Sequence, residues 1–357
     1  MEPNPRFWAG KRICVTGGTG MLGYQIVQQL LRLGVHVRIL ALPPAMSHPI
    51  HGHRTVAKIF GDVRDPEVVR TATADCSVVF HTAGVVNVWR SNPGYMQSVH
   101  VDGTRNVLEM AERGARIVHT SSIVTIGASR KPVPLDENST FDLHHLKVDY
   151  VHAKRASEQV ALEAAARGQD VVVTNPGYLV GPEDHGRSVM GRFCVRFWKG
   201  RILLTPPGGF SLVDVRDVAR GHLLAAEHGQ ARRKYVLAGE NQSFREFLTL
   251  LSEGAGMSPR LLPHVPWWTL RALASLSECR AHLTRKEPYP SFQHVWMNRY
   301  YWYYRSERAE HELGYRFRPL AVTIEDTYRW YVSCGALGLR GLNRWLMRPS
   351  QVLEKAA

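Results

Sequence analysis

Cysteine pairs are missing from this chain. Its five cysteines, Cys14, Cys76, Cys194, Cys279 and Cys334, lie scattered over 357 residues with no CxxC and no paired spacing. That argues against a disulfide framework or a zinc site and favours a reducing compartment. No stretch reaches the roughly 18 apolar residues of a membrane span. The opening residues, MEPNPRFWAGKR, hold no apolar signal core, so a cytoplasmic protein is expected. Low-complexity tracts and repeats of about 20–50 residues are absent as well. Nor is the net charge of +14 concentrated, because it is carried mostly by Arg dispersed along the chain. That spread speaks against a nucleic-acid partner and suits attraction of a phosphate-bearing cofactor or an anionic membrane surface.

What the chain does have is length and rhythm. Its 44% hydrophobic content is that of an ordinary globular protein, and a chain of this length buries a sizeable core. The apolar runs RICVTG (12–17), VHVRIL (35–40), TVAKIFGD (55–62), SVVFHTAG (77–84), RIVHTSS (116–122) and DVVVTNPG (170–177) read as strands. Between them lie helical patterns at 21–33, from DPEVVRTA, at about 95–113 and at about 150–167. Strands alternating with crossover helices predict a doubly wound parallel sheet. After residue 177 the rhythm breaks, returning for a strand and helix over 211–229 and a strand at 234–239. The expected organisation is a nucleotide-binding Rossmann domain over 1–177 and 211–240, with a smaller, mainly helical substrate lobe over 178–210 and 241–334. A basic amphipathic tail over 335–357 is compatible with a peripheral membrane contact.

The turn VTGGTGMLG (15–23) stands where the first strand passes to the first long helix. Gly17, Gly20 and Gly23 fall at the spacing that lets a diphosphate approach the backbone, and the helix start offers free N–H groups and positive potential. The end of the second strand, near Ala41, lacks the carboxylate that usually holds the ribose hydroxyls. With no acid there to repel a 2′-phosphate, NADP is favoured over NAD. Asp62, closing the third strand, suits an adenine amino group.

In DYVHAKRASEQ (149–159), Tyr150 and Lys154 stand four apart, which places them on one face of a helix. Spacing alone does not separate a solvated face from a proton-transfer pair. The joint order of motifs does more. TGGTGMLG, GDVRD, VVFHTAG, DGTRNVLE, HTSSIVTIG, YVHAKRASE, VGPED, VDVRDVARGHLLA and AEHELGY run through almost the whole chain. In this the chain resembles the extended short-chain dehydrogenase/reductases, most of all their dihydroflavonol reductase-like, 3β-hydroxysteroid dehydrogenase-like and hopanoid-associated epimerase-like members. The resemblance implies Tyr150 as acid/base, Lys154 as binder of the nicotinamide ribose and electrostatic neighbour of the phenol, and Ser122 rather than Ser121 as polariser of the reacting oxygen. It extends the cofactor set from the glycines and Asp62 to Thr19, Met21, Leu22, Val63, Ala83, Pro176 and Gly177, with no metal. A phenol of pKa about 10 acting as base near pH 7 needs roughly 4 kcal/mol of differential stabilisation, and a neighbouring ammonium supplies part of it.

Two positions depart from the family pattern: His100 stands where Asn is frequent, and Tyr178 replaces the Asn of many nucleotide-sugar enzymes. The expectation is therefore an NAD(P)-dependent oxidoreductase interconverting a ketone and a secondary alcohol on a fairly apolar small molecule, with a homodimer as a further expectation. The alternatives are a nucleotide-sugar epimerase/dehydratase that recycles its cofactor internally and a non-catalytic cofactor-binding sensor.

Overall fold

The computed structural model describes residues 1–44, 47–86, 93–260 and 262–338. Its strands are β1 Arg12–Thr16, β2 His36–Ala41, β3 Val56–Phe60, β4 Val78–His81, β5 Arg116–Thr120, β6 Val171–Pro176, β7 Tyr178–Val180, β8 Gly209–Asp214, β9 Lys234–Leu237, β10 Glu240–Ser243 and β11 Tyr301–Trp302. Seven of them form one parallel sheet in the order β3-β2-β1-β4-β5-β6-β9. β4 and β6 are buried along their whole length, as Val-rich strands covered on both faces must be. The strand order reverses between β1 and β4, and that reversal opens a crevice at the carboxyl ends of the strands. The doubly wound architecture expected from the sequence is what forms.

Local signals set the helices of both sheets. Asp65 caps the helix Pro66–Thr73 by accepting from the N–H groups of Glu67 and Val68, and Ser243 and Glu246 form a reciprocal capping box on the helix Phe244–Glu253. The main core joins the helices Met21–Arg32 and Val215–His228 to the sheet through residues such as Trp8, Ile26, Leu30 and Leu223.

A second sheet lies beside the first. β8 pairs antiparallel with β10, while β11 and β7 follow one another along its other edge, both parallel. Its core gathers Phe197, Phe210, Phe247, Trp302 and Tyr304, so most of the aromatic run at 300–304 is core. Residues 211–214, expected with the larger domain, belong to this smaller sheet. Conversely Ala309, Leu313 and Tyr315, expected with the substrate lobe, pack into the main core. The helix expected at about 95–113 is interrupted, with a π-turn at Ser98–Asp102 before the helix Gly103–Met110. Of the basic tail, residues 339–357 lie outside the described residues.

Candidate active site

The crevice is floored by the glycine turn. Gly17 has φ +71°, and a β-carbon there would lie 2.8 Å from the Ala83 Cα. One at Gly23 would lie 2.3 Å from the Gly17 carbonyl oxygen. Only glycine permits this approach of loop, helix and strand. The helix Met21–Arg32 starts at exposed Gly20 with no side-chain cap, and its first residues, Met21 and Leu22, present main-chain N–H groups at the positive end of the helix. Thr19 turns its carbonyl to buried His48, 3.1 Å from the ring Nε2. This cradle, which any β-carbon would fill, fits a dinucleotide diphosphate.

Around the cradle, Ala83 donates its N–H to the Thr16 hydroxyl at 3.2 Å, and Val63 is buried against Gly103. Asp62 accepts two hydrogen bonds from the Arg64 side chain, at 3.0 and 2.6 Å, and one from its N–H. The hydrogen bond from Arg64 holds the Asp62 carboxyl below its ordinary range despite the opposing effect of burial. Pro176 ends β6 in full burial, and a β-carbon on Gly177 would lie 3.0 Å from the Ser211 carbonyl oxygen.

The helix carrying Tyr150 is held against the end of β5, where Ser122 stands. Ser122 follows β5 in an extended conformation and caps the short turn Ile123–Thr125. Tyr150 sits in the first turn of the helix Asp149–Ala166, half-buried. Burial raises the Tyr150 phenol above its ordinary pKa, and a hydrogen bond from Ser122 opposes the rise. One turn along, buried Lys154 donates from Nζ to the Thr120 carbonyl at 2.9 Å. Burial lowers its ammonium to about 8, with Glu158 pulling the other way. The three candidate residues thus converge from the end of β5 and one helix face.

His100 lies in the π-turn with its ring edge-on to Tyr150, centroids 5.9 Å apart, and Nε2 2.8 Å from the Val85 carbonyl. Burial, helped by the Lys154 charge, lowers its pKa to about 3, so the ring is neutral near pH 7. Behind it runs a buried chain in which His81 bonds Thr16 and Thr104, Thr104 bonds Ser157, and Ser157 bonds His119. Sequence reasoning missed Glu158. This fully buried carboxylate accepts from Ser121, Thr125 and Asn175 at 2.6–2.7 Å. Asn175 in turn donates to the Ser122 carbonyl at 3.1 Å. Glu158 therefore braces the loop carrying Ser122, and Ser121 is spent on that brace.

The side of the crevice facing the second sheet is aromatic. Tyr178 packs on Phe210 with ring centroids 5.3 Å apart. Burial, then the neighbouring Tyr150, raise its phenol. His145 bonds the Tyr300 hydroxyl at 2.9 Å and His144 packs edge-on against Phe141. Among the described residues no group of His, Cys, Asp and Glu could hold a metal.

The model of the NAD dependent epimerase/dehydratase family matches residues 13–238. The chain belongs to this family. Among full-length relatives of this epimerase/dehydratase protein is one of Synechocystis sp. named "Putative dihydroflavonol 4-reductase", 32% identical over 94% of this chain and 98% of its own. Another is "Sterol demethylase protein B" of Methylococcus capsulatus, 30% identical over 90% of this chain and 99% of its own. The solved structure of gox2253 matches with a TM-score of 0.79 and 28% identity, over 91% of this chain and 99% of that one. An epimerase/dehydratase member with reductase relatives is an enzyme, an oxidoreductase of the extended short-chain type. The glycine cradle is its fit to a nicotinamide dinucleotide.

Proposed function

We propose that this enzyme interconverts a ketone and a secondary alcohol on a fairly apolar small molecule, with NADP(H) preferred. The larger sheet and its helices hold the dinucleotide, and the side formed by β7, β8 and the aromatic core of the second sheet receives the substrate. The observation that carries the reading is that Lys154, on the helix it shares with Tyr150, reaches the Thr120 carbonyl at the end of β5, two residues before Ser122. Bound nicotinamide supplies or accepts the hydride. Ser122 holds the substrate oxygen by a hydrogen bond, and Tyr150 passes a proton to it or takes one from it. A phenol raised by burial is neutral near pH 7, the form that donates, so the protein alone is poised for reduction. Lys154, in reach of the Thr120 carbonyl, holds the ribose side of the cofactor and fixes the charge beside the phenol.

A nucleotide-sugar reading has the family's own description behind it. Tyr178 against Phe210 favours a hydrocarbon body instead, because apolar surface gains about 25 cal/mol per Å² on leaving water. The test is to offer ketones, sterols, flavonoids and nucleotide-sugars in turn and follow nicotinamide absorbance. Stoichiometric consumption with an apolar ketone is expected. Isomerisation of a nucleotide-sugar with no net absorbance change would overturn the reading.

A further inference from the structure

The helix Trp267–Thr284 is apolar on two opposite sides. Leu270, Ala274 and Ala281 are buried, the first two with Val295 in a small core of their own. At about 100° per residue, Trp268, Ala272, Leu276, Cys279 and Leu283 fall on the other side, directly away from that core. All five are exposed, with Trp268 at 68%, Leu276 at 70% and Leu283 at 86%. Scattered exposed apolar residues are ordinary, but a continuous stripe at steps of four, four, three and four is the pattern of a docking helix.

The charge around the stripe says what covers it. Between residues 258 and 299 stand Arg260, Arg271, Arg280, Arg285, Lys286 and Arg299 against Glu278 and Glu287. Exposed Arg271 and Arg280 flank the stripe on its two sides, while Glu278 is engaged by the Phe292 N–H within the fold. A second copy docked about a two-fold axis would set arginine against arginine. The chain's own residues 339–357 carry Arg340, Arg344, Arg348 and Lys355 against one acid, Glu354, and meet the same repulsion. A surface of anionic headgroups over hydrocarbon complements both features. We propose that the exposed face of the helix Trp267–Thr284 docks on an anionic lipid surface, lying in its plane with Trp268, Leu276 and Leu283 immersed. This is a different segment from the C-terminal tail, and it stands independently of the catalytic reading.

The full chain is tested by flotation with phosphatidylcholine vesicles, with and without about one third phosphatidylserine. Binding is expected to the mixed vesicles and to weaken with salt. Leu276→Glu with Leu283→Glu should lower it at least about tenfold, with the melting temperature unchanged because both side chains are exposed. Vesicles with brominated acyl chains should quench Trp fluorescence, and Trp268→Phe, which keeps the fold, should remove most of the vesicle-dependent quenching. Three results overturn the proposal. One is no binding to mixed vesicles. Another is binding abolished by Arg344→Glu with Arg348→Glu yet untouched by the helix variants. The last is a dimer in solution, dissolved by the helix variants, that ignores vesicles.

Discussion

Lys154 donates its ammonium to the Thr120 main-chain carbonyl, 2.9 Å away, and does so from a buried position. A cation held by one neutral acceptor is costly in the protein alone, and its pKa falls to about 8. The folded value lies below the unfolded one, so the unfolded chain binds more protons between pH 8 and the ordinary lysine value. Stability from this group therefore rises with pH through that window, by about 3 kcal/mol in all. Lys154→Met should melt no lower than wild type at pH 7, and its advantage should shrink as pH rises toward 10. Activity should fall together with cofactor affinity. A variant that melts lower at pH 7 would show that the ammonium stabilises the fold.

Four of the five buried histidines among the described residues set the acid limit. His81, His100, His119 and His222 are all lowered, chiefly by burial, with His81 and His100 near 3 and His222 near 4. Each contributes stability that is present above the ordinary histidine pKa and lost as pH falls through the folded value. Together they should give a slope of up to about 5 kcal/mol per pH unit near pH 5. Urea unfolding at pH 7, 6 and 5 measures it. A stability flat to pH 5 would mean that these rings are not buried neutral.

Glu158 should resist substitution more than its place in a helix suggests. Glu158→Ala leaves the Ser121, Thr125 and Asn175 donors without their shared acceptor, a loss of about 3–5 kcal/mol. Glu158→Gln keeps one oxygen for those three donors and should lose less. If the brace positions Ser122, Glu158→Gln should lower kcat more than it raises KM, and a stability loss with unchanged kcat would make Glu158 merely structural.

The larger sheet was legible because its strands are Val- and Ile-rich and a flanking helix carries its cap in the sequence, as at Asp65. The glycine turn was legible in its spacing, whereas Ser122, Tyr150 and Lys154 were singled out by the family resemblance, because a Tyr and a Lys four apart also describe a solvated helix face. The second sheet was not. β10, with the sequence ENQS, is polar throughout and pairs through its main chain, and β7 and β11 are three and two residues long. Glu158 hid for a different reason. In RASEQ a carboxylate reads as a solvated face, and its burial depends on β6 bringing Asn175 against it. The interruption at His100 also depends on tertiary contacts, since no breaker stands in SVHVD.

The glycine cradle makes a steric prediction. Gly23→Ala places a β-carbon 2.3 Å from the Gly17 carbonyl oxygen and 2.8 Å from the Thr82 hydroxyl. Relief requires the turn to open, at about 1–3 kcal/mol of stability. Dinucleotide affinity should fall at least tenfold, about 1.4 kcal/mol, by fluorescence titration. An unchanged affinity would remove the turn from the cofactor site.

Cofactor choice rests on the end of β2 and the residues that follow it. Ala41, Leu42, Pro43 and Pro44 carry no carboxylate, and Leu42 is exposed at the mouth of the crevice. The nearest acid at a strand end, Asp62, is already engaged by Arg64. A 2′-phosphate would therefore meet no free negative charge from these residues, in a chain of net charge +14. NADP(H) should bind at least as tightly as NAD(H), and an NAD preference above about tenfold, ~1.4 kcal/mol, would overturn this. Leu42→Asp puts a carboxylate on the exposed residue directly after the strand. It should weaken NADP(H) by about tenfold or more through like-charge repulsion while sparing NAD(H). Parallel titrations with both cofactors, at low and high salt, separate this electrostatic effect from a loss of fold. If Leu42→Asp weakened both cofactors equally, the residue after β2 would not face the 2′ position and the preference would have to come from elsewhere in the crevice.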